Sequence, residues 1–232
     1  MRAPVSWLRE LVEIPADQSG RDIGEHLVRA GLEVETVEAI GEGVIGTLVV
    51  GHVVVVEELT EFKKPIRWCQ VDVGSDHGGV RGIICGARNF APGDHVVVAL
   101  PGTVLPGGFM IAARETYGHT SDGMICSERE LGLGENHDGI MVLPEDAGLI
   151  GADAAPIVGV GDEVLDIAVT PDRGYALSIR GIARELAFAY GVPFTDPGSV
   201  IVELPAPASG AAPAECGSDD LSACGLFTMR TV

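Results

Sequence analysis

The chain has 232 residues, 34 of them acidic and 15 basic, for a formal charge of -19. That surplus excludes attraction to phosphate as a property of the whole surface. Hydrophobic residues make up 46% and aromatics only 5%, so Val, Ile, Leu and Ala supply the core of one large domain or two ordinary ones.

The opening "MRAPVSWLRELVEI" is broken by Glu10 and Glu13 and is no signal peptide. A short helix over 6–11 is predicted, with Trp7, Leu8 and Leu11 on one side. Ser19 is a predicted N-cap with Asp22 in the capping-box position. The helix after it carries Ile23, Leu27 and Ala30, and Gly31 stops it. "LEVETVEAI" (32–40) alternates like a half-buried strand.

From about residue 43 the pattern changes to short strands: 47–59, 66–73, 80–85, 95–101, 109–116 and 139–144. Glycine, proline or aspartate separate most of them, which indicates a small barrel or sandwich. One short helix, 127–133, interrupts them, with Ser127 as its cap. Near residue 152 the pattern reverts. A strand is predicted at 162–170. Thr170-Pro171 then opens a helix whose stripe includes Ile179, Ile182, Ala183, Leu186, Ala187 and Tyr190, and Gly191 ends it. Residues 195–223, rich in Pro, Ala, Gly, Ser and Asp, read as a linker. "CGLFTMRTV" is strand-like without a following partner, which suggests that a longer protein continues past it. The longest apolar stretch, 44–56, is too short for a membrane helix and contains His52. A soluble cytoplasmic protein is expected.

Most chemical motifs have a plainer reading. "GEGVIG" (41–46) matches a dinucleotide fingerprint but precedes a β-branched run rather than a helix, so a turn is favoured. "GHTSDGM" (118–124) lacks the Gly-x-Ser-x-Gly spacing of a nucleophile elbow. The five cysteines, Cys69, Cys85, Cys126, Cys216 and Cys224, have no Cys-x-x-Cys spacing, so neither a zinc site nor a disulfide framework is expected. His52 and His95 lie in apolar strands and read as core or barrel wall. Asp162, Glu163 and Asp166 read as a solvated face. "CGARN" (85–89) reads alone as a turn. Yet of the seven Lys and Arg residues between 43 and 151, five fall between 63 and 88: Lys63, Lys64, Arg67, Arg81 and Arg88. Fourteen acidic residues share the same span, so any basic strip is local.

Taken together, "IICGARNFAPGDHVVVALPGTVLPGG" and "SDGMICSERELGL" resemble the OB-fold tRNA-binding module of aminoacyl-tRNA synthetases. The flanks "VSWLRELVEIP", "LVRAGLEVE" and "TPDRGYALSIRGIAREL" resemble the N-terminal part of the bacterial phenylalanine–tRNA ligase β subunits. The resemblance implies an α+β fold in which a five-stranded OB-type β-barrel, 43–151, is inserted into a small α+β domain built from 1–42 and 152–200. It implies a linker and the start of an editing domain over 201–232. It also implies tRNA(Phe) and a catalytic α subunit as partners in an (αβ)₂ heterotetramer. ATP and Mg²⁺ would serve the complete enzyme, and no catalytic, cofactor or metal residue is expected within this segment. The tRNA-binding candidates are Lys63, Lys64, Arg67, Arg81, Arg88, Asn89 and Arg114. The family's usual "K-x-R-G-x-x-S-x-G-M" stretch is replaced here by "RETYGHTSDGM", which weakens the transfer of contacts at Arg114. Gly174-Tyr175 also departs from the usual pair, with an expected effect on packing. An assembly scaffold with little RNA contact is the alternative.

Overall fold

A computed structural model describes residues 1–62, 66–196, 198 and 222. Lys63, Lys64 and nearly all of the expected linker and editing-domain start lie outside the described residues. Met1–Thr195 form one compact unit.

Its first layer comes from both flanks of the chain. Strands β1 (Arg2–Pro4) and β2 (Glu33–Ala39) pair on either side of β13 (Glu163–Ala168), all antiparallel. Helices α1 (Val5–Leu11), α2 (Gly20–Arg29) and α3 (Ile179–Tyr190) cover this sheet. Leu8, Ile23, Leu27, Leu165, Ile167, Ile182 and Leu186 are buried between the layers. The α2 capping box forms as read from sequence: Ser19 N–H donates to Asp22 Oδ2 at 2.9 Å, and Asp22 N–H donates to Ser19 Oγ at 3.3 Å. Gly31, at φ +85°, follows the helix end.

The second sheet is curled. It is built on β3 (Leu48–Leu59), β4 (Ile66–Asp72), β5 (Val80–Cys85) and β6 (His95–Ala99). Four short strands follow: β7 (Val104–Leu105), β8 (Phe109–Met110), β9 (Arg114–Thr116) and β10 (His119–Ser121). Two more, β11 (Met124–Ile125) and β12 (Val142–Leu143), complete the set. The main sheet runs β11-β6-β3-β4-β5, and β12 also pairs β6. Six strands therefore occupy five positions, because β11 takes Val98 and Ala99 while β12 takes His95 and Val96 on one edge of β6. Strand alternation sends Val49, Val53, Val71, Val96 and Val98 into the concave core. It sends Leu48, Val50, Val97 and Ala99 to the other face, under Leu105, Ile111, Cys126, Leu131 and Ala154. The register between β3 and β4 shifts between Val53 and Val55, a bulge of the kind that bends long strands.

Several expectations are corrected. In α1 the buried residues are Val5 and Leu8, while Trp7 is 57% exposed, because positions 5 and 8 share a face and 7 does not. The expected helix at 127–133 is a set of turns. Gly132, at φ +69°, stops it before a second turn can offset the cost of nucleation. The strand expected over 109–116 is split into β8 and β9. Only Val142–Leu143 of 139–144 is strand. Thr170-Pro171 opens a 3₁₀ segment, Pro171–Ala176. The α-helix proper begins later, capped by Ser178 Oγ, which accepts from Gly181 N–H at 3.0 Å. Tyr175 lies in the 3₁₀ segment, and its hydroxyl donates to Glu185 at 2.7 Å.

The three acids of 162–166 are not a merely solvated face. Asp162 accepts from Ser6 N–H at 3.1 Å and from Ser6 Oγ at 2.6 Å. Glu163 accepts from Gly20 N–H. Asp166 faces the N-terminal ammonium at 3.4 Å.

Candidate nucleic-acid interface

A concavity of about 790 Å³ lies beside the end of β5 and β11. Ile84 to Ala87 form one wall, Phe109 to Ala112 and Arg114 another, and His137 to Ile140 a third. Arg129 and Glu130 reach it from the 127–133 turns. Phe109 and Met110 are exposed, at 52% and 62%.

The hairpin that carries Arg114 is held by its own sequence. Thr116 pairs with His119, which leaves Tyr117 and Gly118 as a two-residue turn with φ of +53° and +76°. Two positive φ values define a type I′ turn, which matches the twist of a hairpin. His119 stacks on Trp68, 4.7 Å between ring centroids, and Phe62 meets Tyr117 edge-on at 4.8 Å. Ser121 Oγ accepts from Ile84 N–H at 3.0 Å, which ties β10 to β5. Ser121 thus has a structural role, and the "HTSD" stretch assembles no nucleophile. "GEGVIG" is likewise a turn, with Gly41, Gly43 and Gly46 all at positive φ. His52 and His95 face each other across β3 and β6, 5.4 Å apart and partly buried.

The sequence candidates divide by what their side chains touch. Lys63 and Lys64 lie outside the described residues. Arg67 is only 14% exposed. It donates to Glu58 at 2.7 Å and to Phe90 O at 3.0 Å, with its guanidinium over the Phe90 ring. Arg81 donates twice to His77 O and once to Asp122. Arg88 is 56% exposed but shares Glu58 with Arg67. The described part of the expected basic strip, Arg67, Arg81 and Arg88, is thus neutralised within the fold. Asn89 is engaged by the backbone of Ile140. Among the described candidates, Arg114 alone lines the groove.

Arg129 was not singled out in the sequence. Its signal lay inside "SERELGL", between the residues of a second capping box. Ser127 N–H and Oγ both donate to Glu130 Oε2, at 2.7 and 2.8 Å. That box ties Glu130 back to Ser127 and leaves Arg129 exposed. Among the described residues, neither Arg114 nor Arg129 is paired with a carboxylate. Burial pushes the Cys69 and Cys126 thiols up to about 12 and raises that of Cys85, so none of the three is a poised nucleophile. Among the described residues no group of three or more His, Cys, Asp or Glu could hold a metal ion. No helix among them is long and apolar enough to cross a membrane.

A curled sheet of short strands with a groove against its edge is the architecture of an OB-like module. Residues 48–150 match the family described as "Putative tRNA binding domain". Over its length the chain is 58% identical to the phenylalanine–tRNA ligase β subunit of Thermobifida fusca (strain YX), covering 100% of this chain and 28% of that protein. It is 56% identical to the β subunit of Streptomyces avermitilis, with the same coverage. The β subunit of Mycolicibacterium paratuberculosis is 55% identical over 91% of this chain and 25% of its own. The chain belongs to the phenylalanine–tRNA ligase β-subunit family, as the N-terminal portion of such a subunit. It spans a little over a quarter of the length of these relatives. Among solved structures, the CsaA chaperone protein from Picrophilus torridus is similar to 46% of this chain and 89% of its own, at 15% identity and a TM-score of 0.35, too distant to bear on the fold.

Proposed function

We propose that this chain is the tRNA-binding and structural portion of a phenylalanine–tRNA ligase β subunit, and that it holds unpaired RNA of tRNA(Phe) in the groove flanked by Arg114 and Arg129. One observation carries the reading. In a chain of net charge -19, two unpaired guanidinium groups flank one groove, with an exposed Phe109 beside them. Guanidinium groups fit phosphate, and an aromatic face accepts a base of any identity. The groove also contains Glu130 and Asp138, so its charge is balanced rather than strongly positive. Binding through it is accordingly weak and rests on about two phosphates.

On this reading residues 43–151 are an inserted module, and 1–42 with 152–200 are the domain that receives it. The protein is cytoplasmic and joins a catalytic α subunit in an (αβ)₂ heterotetramer. Formation of the phenylalanyl adenylate from ATP with Mg²⁺, and the charging of tRNA that follows, belong to residues outside this chain.

A fluorescence-anisotropy titration of a labelled tRNA transcript, repeated over a range of salt, tests the RNA role. Two phosphate contacts give a slope of log K against log salt of roughly -1.5. Arg114→Ala with Arg129→Ala removes most of that slope, whereas Arg67→Ala leaves it. An absence of binding at low salt overturns the RNA role. The scaffold reading then takes its place, supported by Trp7, Leu177 and Phe188, which are 57%, 65% and 86% exposed. Co-purification with the α subunit is its measurement.

A further inference from the structure

Asn89 belongs to the sequence stretch that first marked the module, yet it does not line the groove. Its carboxamide forms a two-point pair with the backbone of Ile140, 51 residues away. Nδ2 donates to Ile140 O at 2.8 Å, and Ile140 N–H donates to Oδ1 at 3.0 Å. This is the pattern by which one strand residue pairs with another, made here by a side chain. The fit is close. A Cβ on Gly139 would lie 2.4 Å from Asn89 Cγ and Oδ1, so glycine is required for the approach. Beyond Ile140 the segment is held by backbone bonds and by packing: Met141 N–H donates to Cys126 O at 2.9 Å, Val142–Leu143 pair with β6, and Met141 and Leu143 pack against the core on the far side of the sheet. Before Ile140 come His137, Asp138 and Gly139, the third wall of the groove.

We propose that Asn89 is a positioning residue for RNA binding, which sets the 137–140 wall against Arg114 and Arg129 without touching the ligand. The role rests on the reading of the groove as the RNA site. Loss of the pair frees Ile140 N–H and lets the wall move away from the two arginines. A misplaced wall weakens contacts that it does not itself make.

The test combines affinity for a tRNA transcript with hydrogen exchange at Ile140, measured on the chain and five variants. Asn89→Ala is expected to weaken binding on the order of tenfold, about what one well-placed hydrogen bond contributes, and to speed exchange of the Ile140 amide. Its salt slope stays that of the unaltered chain, whereas Arg114→Ala lowers it. Gly139→Ala displaces the same carboxamide and is expected to act in the same direction. The double variant should then bind no more weakly than Asn89→Ala alone. Asn89→Asp keeps the acceptor for Ile140 N–H and loses the donor. It should fall between, and it serves where Asn89→Ala does not fold. Faster exchange at Ile140 with unchanged affinity overturns the proposal. So does weaker binding with Ile140 still protected, which would make Asn89 a direct contact. If the unaltered chain shows no salt-dependent binding, the groove reading itself fails and the positioning role goes with it.

Discussion

Glu163 Oε2 accepts a hydrogen bond from Gly20 N–H at 2.6 Å, across 143 residues of sequence. The carboxylate of β13 thereby satisfies a free donor at the start of α2, where the helix dipole also favours negative charge. Its neighbour Asp162 does the same for α1, whose own N-cap, Pro4, supplies no side-chain bond. The strand from the far flank thus caps both early helices. Glu163→Ala is expected to cost about 1–2 kcal/mol and to lower the melting temperature by roughly 2–8 °C, measured by circular dichroism. Gly20→Ala tests the same approach from the other side. Alanine favours a helix over glycine, but its Cβ would lie 2.9 Å from Val37 Cγ1 and 3.0 Å from Glu163 Cβ. The steric term outweighs propensity, so the variant is less stable.

What was legible in the sequence follows from which interactions are local. Ser19 and Asp22 are three residues apart, so their capping box was readable. The valines of β3 announced a strand because a β-branched run favours the extended backbone. The caps from Asp162 and Glu163 were not readable, since nothing local shows that a strand acid meets a helix 143 residues earlier. Likewise Arg67 and Arg88 looked like a basic strip until the fold placed Glu58 between them. Arg114 was named, but its partner across the groove, Arg129, was hidden in a segment whose capping box drew attention to Ser127 instead. Charge counts along a chain cannot distinguish an arginine that meets solvent from one that meets a carboxylate.

Arg81 separates these two kinds of arginine experimentally. It donates to His77 O and Asp122, and its side chain is 22% exposed. Its removal leaves the Asp122 carboxylate without its partner and the loop before β5 without its anchor. Arg81→Ala is expected to cost about 1–3 kcal/mol in urea unfolding, with the salt slope of tRNA binding unchanged. A flattened slope would show instead that Arg81 contacts phosphate.

The α2 capping box gives the fold an acid limb. Side-chain and backbone hydrogen bonds from Ser19 hold the Asp22 carboxyl below its ordinary value of 3.8. The stabilisation is therefore complete above that value and is lost as pH falls below it through the folded-state value. Thermal melts of the chain and Asp22→Asn between pH 2.5 and pH 6 should converge at the acid end, with the chain the more stable above about pH 4. Curves that stay parallel would mean that Asp22 titrates alike folded and unfolded.

Tyr117 sets two effects of similar size against each other. Its φ of +53° is left-handed, which costs a residue other than glycine roughly 1–2 kcal/mol. Asparagine tolerates that region and is preferred at the first position of a type I′ turn. Tyr117→Asn should thus relieve about 1 kcal/mol of backbone strain. The same substitution removes the edge-on contact with Phe62, and an aromatic pair contributes about 0.5–1.5 kcal/mol. The single variant should therefore lie within about 0.5 kcal/mol of the chain, because the two terms offset. Phe62→Ala removes the pair while leaving the turn alone. In that background nothing opposes the relief, and Tyr117→Asn should stabilise by about 1 kcal/mol. Chemical denaturation of the four proteins completes the cycle. A coupling near zero would mean that the Phe62 contact contributes nothing, and that the hairpin carrying Arg114 is held by the His119–Trp68 stack and Ser121 alone.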